Sequence, residues 1–142
     1  MKDQPPFPGP EAWYRHFVSY GETDAMGVLY YAEYLHLFER ARSLLLRERG
    51  MSYNEVERRG VLLPIREAGC RYRSPSRYDD EIWVRVGISE WRRASLVFVY
   101  EMHDAARTKI LATGMTEHAC VNREGKPFGV PDWLKALFAP RA

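Results

Sequence analysis

Residues 28–48, VLYYAEYLHLFERARSLLLRE, decide the fold. Tyr31, Tyr34, Leu35, Phe38, Ala41 and Leu45 recur at three- and four-residue spacing, which puts them on one face of a helix with His36, Arg40 and Arg47 opposite. The spacing predicts a long amphipathic helix over 28–48. Arg47 and Arg49 complement the negative end of the helix dipole, and Gly50 suits the left-handed residue beyond that end. A helix with a single apolar face must bury it on something, and the surrounding sequence offers strands.

Upstream, Trp13 to Tyr20 is aromatic and β-branched and stops at Gly21, the pattern of a strand. Downstream, a short helix over Tyr53 to Arg59 ends at Gly60, and strands follow at Val61 to Arg73, Glu81 to Trp91, Ser95 to His103 and Lys109 to Val121. In the second of these, Ile82, Val84, Val86 and Ile88 alternate with Trp83, Arg85 and Gly87, as a half-buried antiparallel strand requires. Arg92 to Ala94 and Asp104 to Arg107 have hairpin length. Pro131 to Phe138 opens on a proline suited to a first helical turn and carries Trp133, Leu134, Leu137 and Phe138 as an apolar face. The expectation is an α+β domain, one long helix against a curled antiparallel sheet of about five strands.

Pro5, Pro6, Pro8, Gly9 and Pro10 remove donors and favour extended or turn geometry, so residues 1–11 read as a flexible arm and 12–142 as a single domain. A net charge of +2 is too small for nonspecific nucleic-acid binding. Cys70 and Cys120 are far apart and lack metal-ligand spacing, which suits a reducing compartment. His16, His36, His103 and His118 are scattered and are assigned to strand or helix surfaces, so neither a metal nor a cofactor is expected. The N-terminus lacks the apolar run of a secretory signal, and no run has the length of a membrane span. A cytoplasmic protein without a membrane anchor is expected.

The chemistry is concentrated in Tyr20-Gly21-Glu22-Thr23-Asp24-Ala25-Met26-Gly27-Val28-Leu29-Tyr30-Tyr31-Ala32, which joins the first strand to the long helix. It sets a carboxylate just before the expected helix start. Taken alone, Thr23 and Asp24 could simply satisfy free N–H groups there, and Gly27 could supply a turn. The run Thr23 to Tyr30, followed by Phe38-Glu39-Arg40-Ala41-Arg42, resembles the signature of the 4-hydroxybenzoyl-CoA and Tol-Pal-associated acyl-CoA thioesterases. Ser74-Pro75-Ser76-Arg77-Tyr78-Asp79-Asp80-Glu81 and Glu90-Trp91-Arg92-Arg93-Ala94-Ser95 resemble later segments of that family, in the same order.

The resemblance implies a hotdog fold, active sites between two protomers, and hence a homodimer or homotetramer in which an edge strand pairs across the interface. It implies hydrolysis of an acyl-CoA, aromatic or short- to medium-chain, to free acid and CoA. Asp24 would be the catalytic carboxylate, as nucleophile or as general base, roles that both call for its ionised form. The backbone N–H of Tyr31, seven positions later, would polarise the thioester carbonyl, with Gly27 allowing close approach. Tyr31 stands where many relatives carry histidine and resembles the aromatic of the 4-hydroxybenzoyl-CoA branch, and Met26 replaces a frequent glycine. Arg92 and Arg93 are either a solvated hairpin tip or contacts to CoA phosphates, with Arg123 and Lys126 as secondary candidates.

Glu39 could correspond to the helix carboxylate that another hotdog branch uses as catalytic acid, but Arg40 and Arg42 beside it favour a salt bridge. Asp79 and Asp80 read as turn formers. Tyr30, Tyr31, Tyr34 and Phe38 could line an aryl pocket or pack on the sheet. Two rival functions remain: a non-catalytic acyl-CoA-binding hotdog protein, and an enoyl-thioester hydratase. The hydratase is disfavoured because Leu29 occupies the position of its histidine.

Overall fold

The computed structural model describes residues 6–140 of the 142-residue chain. The elements run β1 (Ala12–Phe17), α1 (Glu33–Glu48), α2 (Tyr53–Arg58), β2 (Ile65–Tyr72), β3 (Glu81–Trp91), β4 (Ser95–His103), β5 (Ile110–Ala119) and α3 (Asp132–Leu137). All five strands form one antiparallel sheet in the order β1-β3-β4-β5-β2. β3, β4 and β5 are neighbours joined in sequence. β2 does not pair with β3; it crosses to the far edge and pairs with β5, Cys70 opposite Gly114. The α+β expectation of a long helix on a five-stranded antiparallel sheet holds.

The long helix begins five residues later than its periodicity suggests. Val28 and Leu29 are used in isolated bridges to Arg77 and Thr23, and the Leu29 N–H donates to the Ser76 carbonyl at 2.7 Å. Residues 28–32 therefore hold a bridged, turning segment, and helix starts at Glu33. Its buried face is Tyr34, Leu37, Phe38, Ala41, Leu45 and Leu46, joined by Arg42, while Leu35 of the expected face is exposed. The Phe38 ring stacks on Tyr100 of β4 with centroids 4.3 Å apart and planes 6° from parallel. This contact needs Gly114 on β5, where a Cβ would run into the Phe38 ring and come within 2.9 Å of the Gly69 carbonyl oxygen.

Val18, Ile82, Val84, Val86, Leu96, Phe98, Met102, Val56 and Leu134 complete the core around α1. Residues 1–5 of the expected arm, and 141–142 at the other end, lie outside the described residues; Phe7 lies beneath the Arg85 guanidinium of β3 at 4.2 Å. Among the described residues no helix is long and apolar enough to cross a membrane.

Candidate active site

Between β1 and α1 the chain makes a single 3₁₀ turn, Tyr20–Glu22, and a tight loop over 23–31. The turn is held from below. Glu22 Oε1 accepts the Ser19 N–H at 2.8 Å and His16 Nε2 at 2.9 Å, the Tyr14 hydroxyl lies 3.3 Å from His16 Nδ1, and Arg40 of α1 donates to Tyr14 at 3.2 Å. Arginine can only donate and an ionised carboxylate only accept, so Arg40 donates to Tyr14 and His16 donates through Nε2 to Glu22. Burial alone would raise the Glu22 carboxyl, but the Ser19 N–H and His16 outweigh it and hold it below the usual carboxylate range. The Glu22 carbonyl then takes the Tyr30 N–H at 2.8 Å, which ties β1 to the segment leading into α1.

Asp24 is half-buried in this loop. Its Oδ1 accepts the N–H of Met26 at 2.9 Å and of Val28 at 3.4 Å, and its backbone carbonyl accepts the Gly27 N–H at 2.9 Å. Gly27 takes φ +79°, the left-handed conformation that closes the loop and that a side chain would strain. Oδ2 is left without a protein partner among the described residues. Nine positions separate Asp24 from Glu33, so the carboxylate stands one loop away from the helix and not immediately before it.

Tyr31 occupies the turn entering α1. No backbone carbonyl among the described residues accepts its N–H, while its own carbonyl accepts the Tyr72 hydroxyl of β2 at 2.9 Å. Burial first, and Cys70 beside it, push the Tyr72 hydroxyl up to about 12, so it stays a donor at neutral pH. Asp24, Val28, Tyr31, Tyr34, Tyr72 and Arg73 surround a cleft of about 280 Å³. The aromatic stripe thus divides: Phe38 packs on the sheet, whereas Tyr31 and Tyr34 line the cleft, and the Tyr30 ring lies 4.6 Å from Tyr31.

The structure brings Asp24 and Tyr31 to one cleft, with Gly27 in the loop between them, but places Arg92 and Arg93 elsewhere. Arg92, in the β3–β4 hairpin, binds Glu90 through two nitrogens at 3.0 Å and also bonds Glu117. Arg93 makes no ion pair among the described residues, and its carbonyl accepts the Val130 N–H at 2.7 Å. Tyr72 and Arg73 escaped the sequence reading because nothing local distinguishes them from other strand-end residues. Arg77 lies 4.0 Å from where a Cβ of Gly27 would sit, also with no ion pair among the described residues. Glu39 is exposed, with Arg42 Nη2 at 3.8 Å as the salt-bridge reading expected. Asp79 takes φ +68° and Asp80 Oδ2 accepts the Arg77 N–H at 2.8 Å, the behaviour of turn formers.

Two histidines correct the surface assignment. His103 is buried, its Nε2 3.0 Å from Glu101. His118, 1% exposed, ends a polar chain: Arg42 Nη1 to the Tyr100 hydroxyl at 3.4 Å, Tyr100 to Thr116 Oγ1 at 2.6 Å, Thr116 to His118 Nε2 at 2.8 Å, and His118 Nδ1 to the Leu63 carbonyl at 2.9 Å. With a donor at one end and a carbonyl at the other, the direction is unique and the proton sits on Nδ1. Burial drives the His118 pKa down to about 4, overcoming the opposing pull of the Leu63 carbonyl.

The chain matches the model of the Thioesterase-like superfamily over residues 18–138. It is 33% identical to the acyl-CoA thioester hydrolase YbgC of Escherichia coli over 122 residues, covering 85% of this chain and 90% of the relative. The crystal structure of the DHNA-CoA thioesterase of Staphylococcus aureus superposes with a TM-score of 0.81 at 28% identity, covering 89% of this chain and 87% of that one. A 4-hydroxybenzoyl-CoA thioesterase mutant crystallised with 4-hydroxybenzoyl-CoA shares the fold, TM-score 0.83 at 18% identity, over 92% of this chain and 100% of that one. With strands β2 to β5, the three helices and the Asp24 loop all inside the matched span, the chain belongs to the Thioesterase-like superfamily.

Proposed function

We propose that the protein hydrolyses an acyl-CoA thioester to the free acid and CoA, with Asp24 as the catalytic carboxylate. The observation that carries this reading is the meeting of Asp24 and the Tyr31 turn in one cleft, a carboxylate and an unused N–H donor within the same small space. The thioester carbonyl oxygen would take the Tyr31 N–H, whose hydrogen bond strengthens as negative charge develops on that oxygen. Asp24 would act at the carbonyl carbon directly, or remove a proton from a water that attacks it; in either case the C–S bond breaks and CoA leaves as its thiol. Gly27, which has no side chain, would allow the substrate to approach the loop closely.

For the CoA phosphates, Arg93 is available, while Arg92 would have to exchange Glu90 for a phosphate; Arg73 offers a third donor on the cleft wall itself. The names of the relatives support an acyl-CoA substrate, aromatic or aliphatic. The outer edge of β2, with Ile65 and Tyr72 each 47% exposed, supports association into a homodimer or homotetramer.

Release of free thiol from benzoyl-, hydroxybenzoyl-, hexanoyl- and acetyl-CoA tests the reading. Wild type should turn over at least one ester, and Asp24→Asn, with an unchanged circular dichroism spectrum, should lose about a hundredfold or more in kcat/KM. Absence of turnover on every ester, together with tight binding of a non-hydrolysable analogue, would replace catalysis with binding.

A further inference from the structure

From Thr23 to Glu33 the backbone N–H groups are taken by carbonyls or by Asp24 Oδ1, save those of Ala25, Tyr31 and Ala32, which have no acceptor among the described residues. Of these, only Tyr31 lines the Asp24 cleft. The direction of its N–H is set by Tyr30. A trans peptide holds the C=O of one residue and the N–H of the next pointing opposite ways in one plane. The Tyr30 carbonyl accepts the Glu33 N–H at 2.9 Å, so the Tyr31 N–H points away from that amide. Tyr30 also donates its own N–H to the Glu22 carbonyl at 2.8 Å. Both backbone groups of Tyr30 are thus pinned, and the second pin depends on where Glu22 stands.

Glu22 ends a turn of three residues, too short to hold itself, since a first helical turn fixes more backbone than its hydrogen bonds repay. Its carboxylate supplies the hold. His16 Nε2 lies 2.9 Å from one oxygen and 3.1 Å from the other, and the Ser19 N–H lies 2.8 Å from the first. The two side chains are only 10% and 13% exposed, so removing either leaves the other short of a partner where water barely reaches. Behind His16, the Tyr14 ring stacks on the imidazole with centroids 5.8 Å apart and accepts from Arg40 at 3.2 Å. The imidazole is therefore braced against the same helix that the Tyr31 turn enters. Neither His16 nor Glu22 lines the cleft, so neither acts on a bound substrate by contact.

We infer that His16 and Glu22 are positioning residues for thioester hydrolysis: their mutual bond fixes the Glu22 carbonyl, that carbonyl fixes Tyr30, and Tyr30 aims the Tyr31 N–H into the cleft. The inference rests on the roles proposed above for Asp24 and Tyr31. A donor that is misaimed at the developing oxyanion loses transition-state stabilisation and leaves ground-state binding intact. The signature is a fall in kcat with KM preserved.

Thiol release from the best ester of the panel and hydrogen exchange of the Tyr30 amide, both on the full chain, test it. His16→Leu removes the donor and Glu22→Leu the acceptor. Each should lower kcat by about tenfold or more with KM within about twofold of wild type. In each, the Tyr30 amide should exchange about tenfold or more faster while the amides of β4 keep their protection. His16→Gln, whose amide can still donate to Glu22, should bring kcat back to within about threefold of wild type. Unchanged kcat in both leucine variants, a loss confined to KM, a lost kcat with Tyr30 still protected, or no recovery in His16→Gln would each overturn the inference. So would an unprotected Tyr30 amide in wild type, with no variant needed. Absence of thioester turnover in wild type would bring it down together with the proposed catalysis at Asp24, whereas full kcat in the leucine variants beside an inactive Asp24→Asn would bring it down alone.

Discussion

His118 should make the protein acid-sensitive well above the range in which ordinary carboxylates titrate. In the folded state its pKa is about 4, against an ordinary value of 6.5, because burial outweighs the raising pull of the Leu63 carbonyl and the Arg42 charge lowers it further. Between those two values the unfolded chain binds a proton that the folded one refuses. The stabilisation is therefore complete above pH 6.5 and is lost as the pH falls toward 4. At about 1.4 kcal/mol per pH unit the full interval corresponds to about 3 kcal/mol, of which about 2 to 3 kcal/mol should be gone by about pH 4.5.

The cost has a structural origin beyond desolvation. Protonated Nε2 would need an acceptor where Thr116 now donates, and Thr116 could turn only by displacing the Tyr100 proton that Arg42 keeps pointed at it. Urea unfolding of wild type and His118→Asn, followed by far-ultraviolet circular dichroism at several pH values between about 7.5 and 4.5, measures the effect. The variant should be less stable at neutral pH, having lost the Thr116 acceptor, and the gap should narrow by about 2 kcal/mol or more on acidification. Carboxylates held low, such as Glu22, titrate in both proteins and cancel in the comparison. Parallel stability curves would show that His118 is not held neutral by the fold.

Gly114→Ala should destabilise the protein by about 1–3 kcal/mol in the same assay, because the new methyl group meets the Phe38 ring and the Gly69 carbonyl. Tyr72→Phe should lower kcat/KM by about fivefold, roughly the 1 kcal/mol of one hydrogen bond, by freeing the Tyr31 carbonyl and loosening the turn; an unchanged kcat/KM would show that the bond does not position Tyr31. Tyr53→Phe should change the stability of the protein by no more than about 1 kcal/mol, since the buried hydroxyl it removes finds no acceptor among the described residues; marked destabilisation would refute this.

Much of the fold was legible in local pattern. β3 and β4 run over the residues their β-branched and aromatic content marks, and α2 and α3 lie within a residue of theirs. The start of α1 was misread because hydrophobic spacing continues through Val28 and Tyr31, where Gly27, the Asp24 carboxylate and two isolated bridges impose a loop. The Asp24 loop was found through its motif, while its cleft partners Tyr72 and Arg73 were not, since they enter the site only through the pairing of β2 with β5.

The sequence by itself determined which segments are helix and strand, and where the loop bearing Asp24, Gly27 and Tyr31 falls, because periodicity and turn residues act over only a few positions. Tertiary structure alone decided that β2 crosses the sheet to its far edge and that Arg42 and His118 lie inside. It also decided that Arg92 is occupied by Glu90 and Glu117. Each of those outcomes depends on side chains brought together from distant parts of the chain. Neither i+2 nor i+4 spacing carries that information; it arises when packing and hydrogen bonding select one arrangement of the elements.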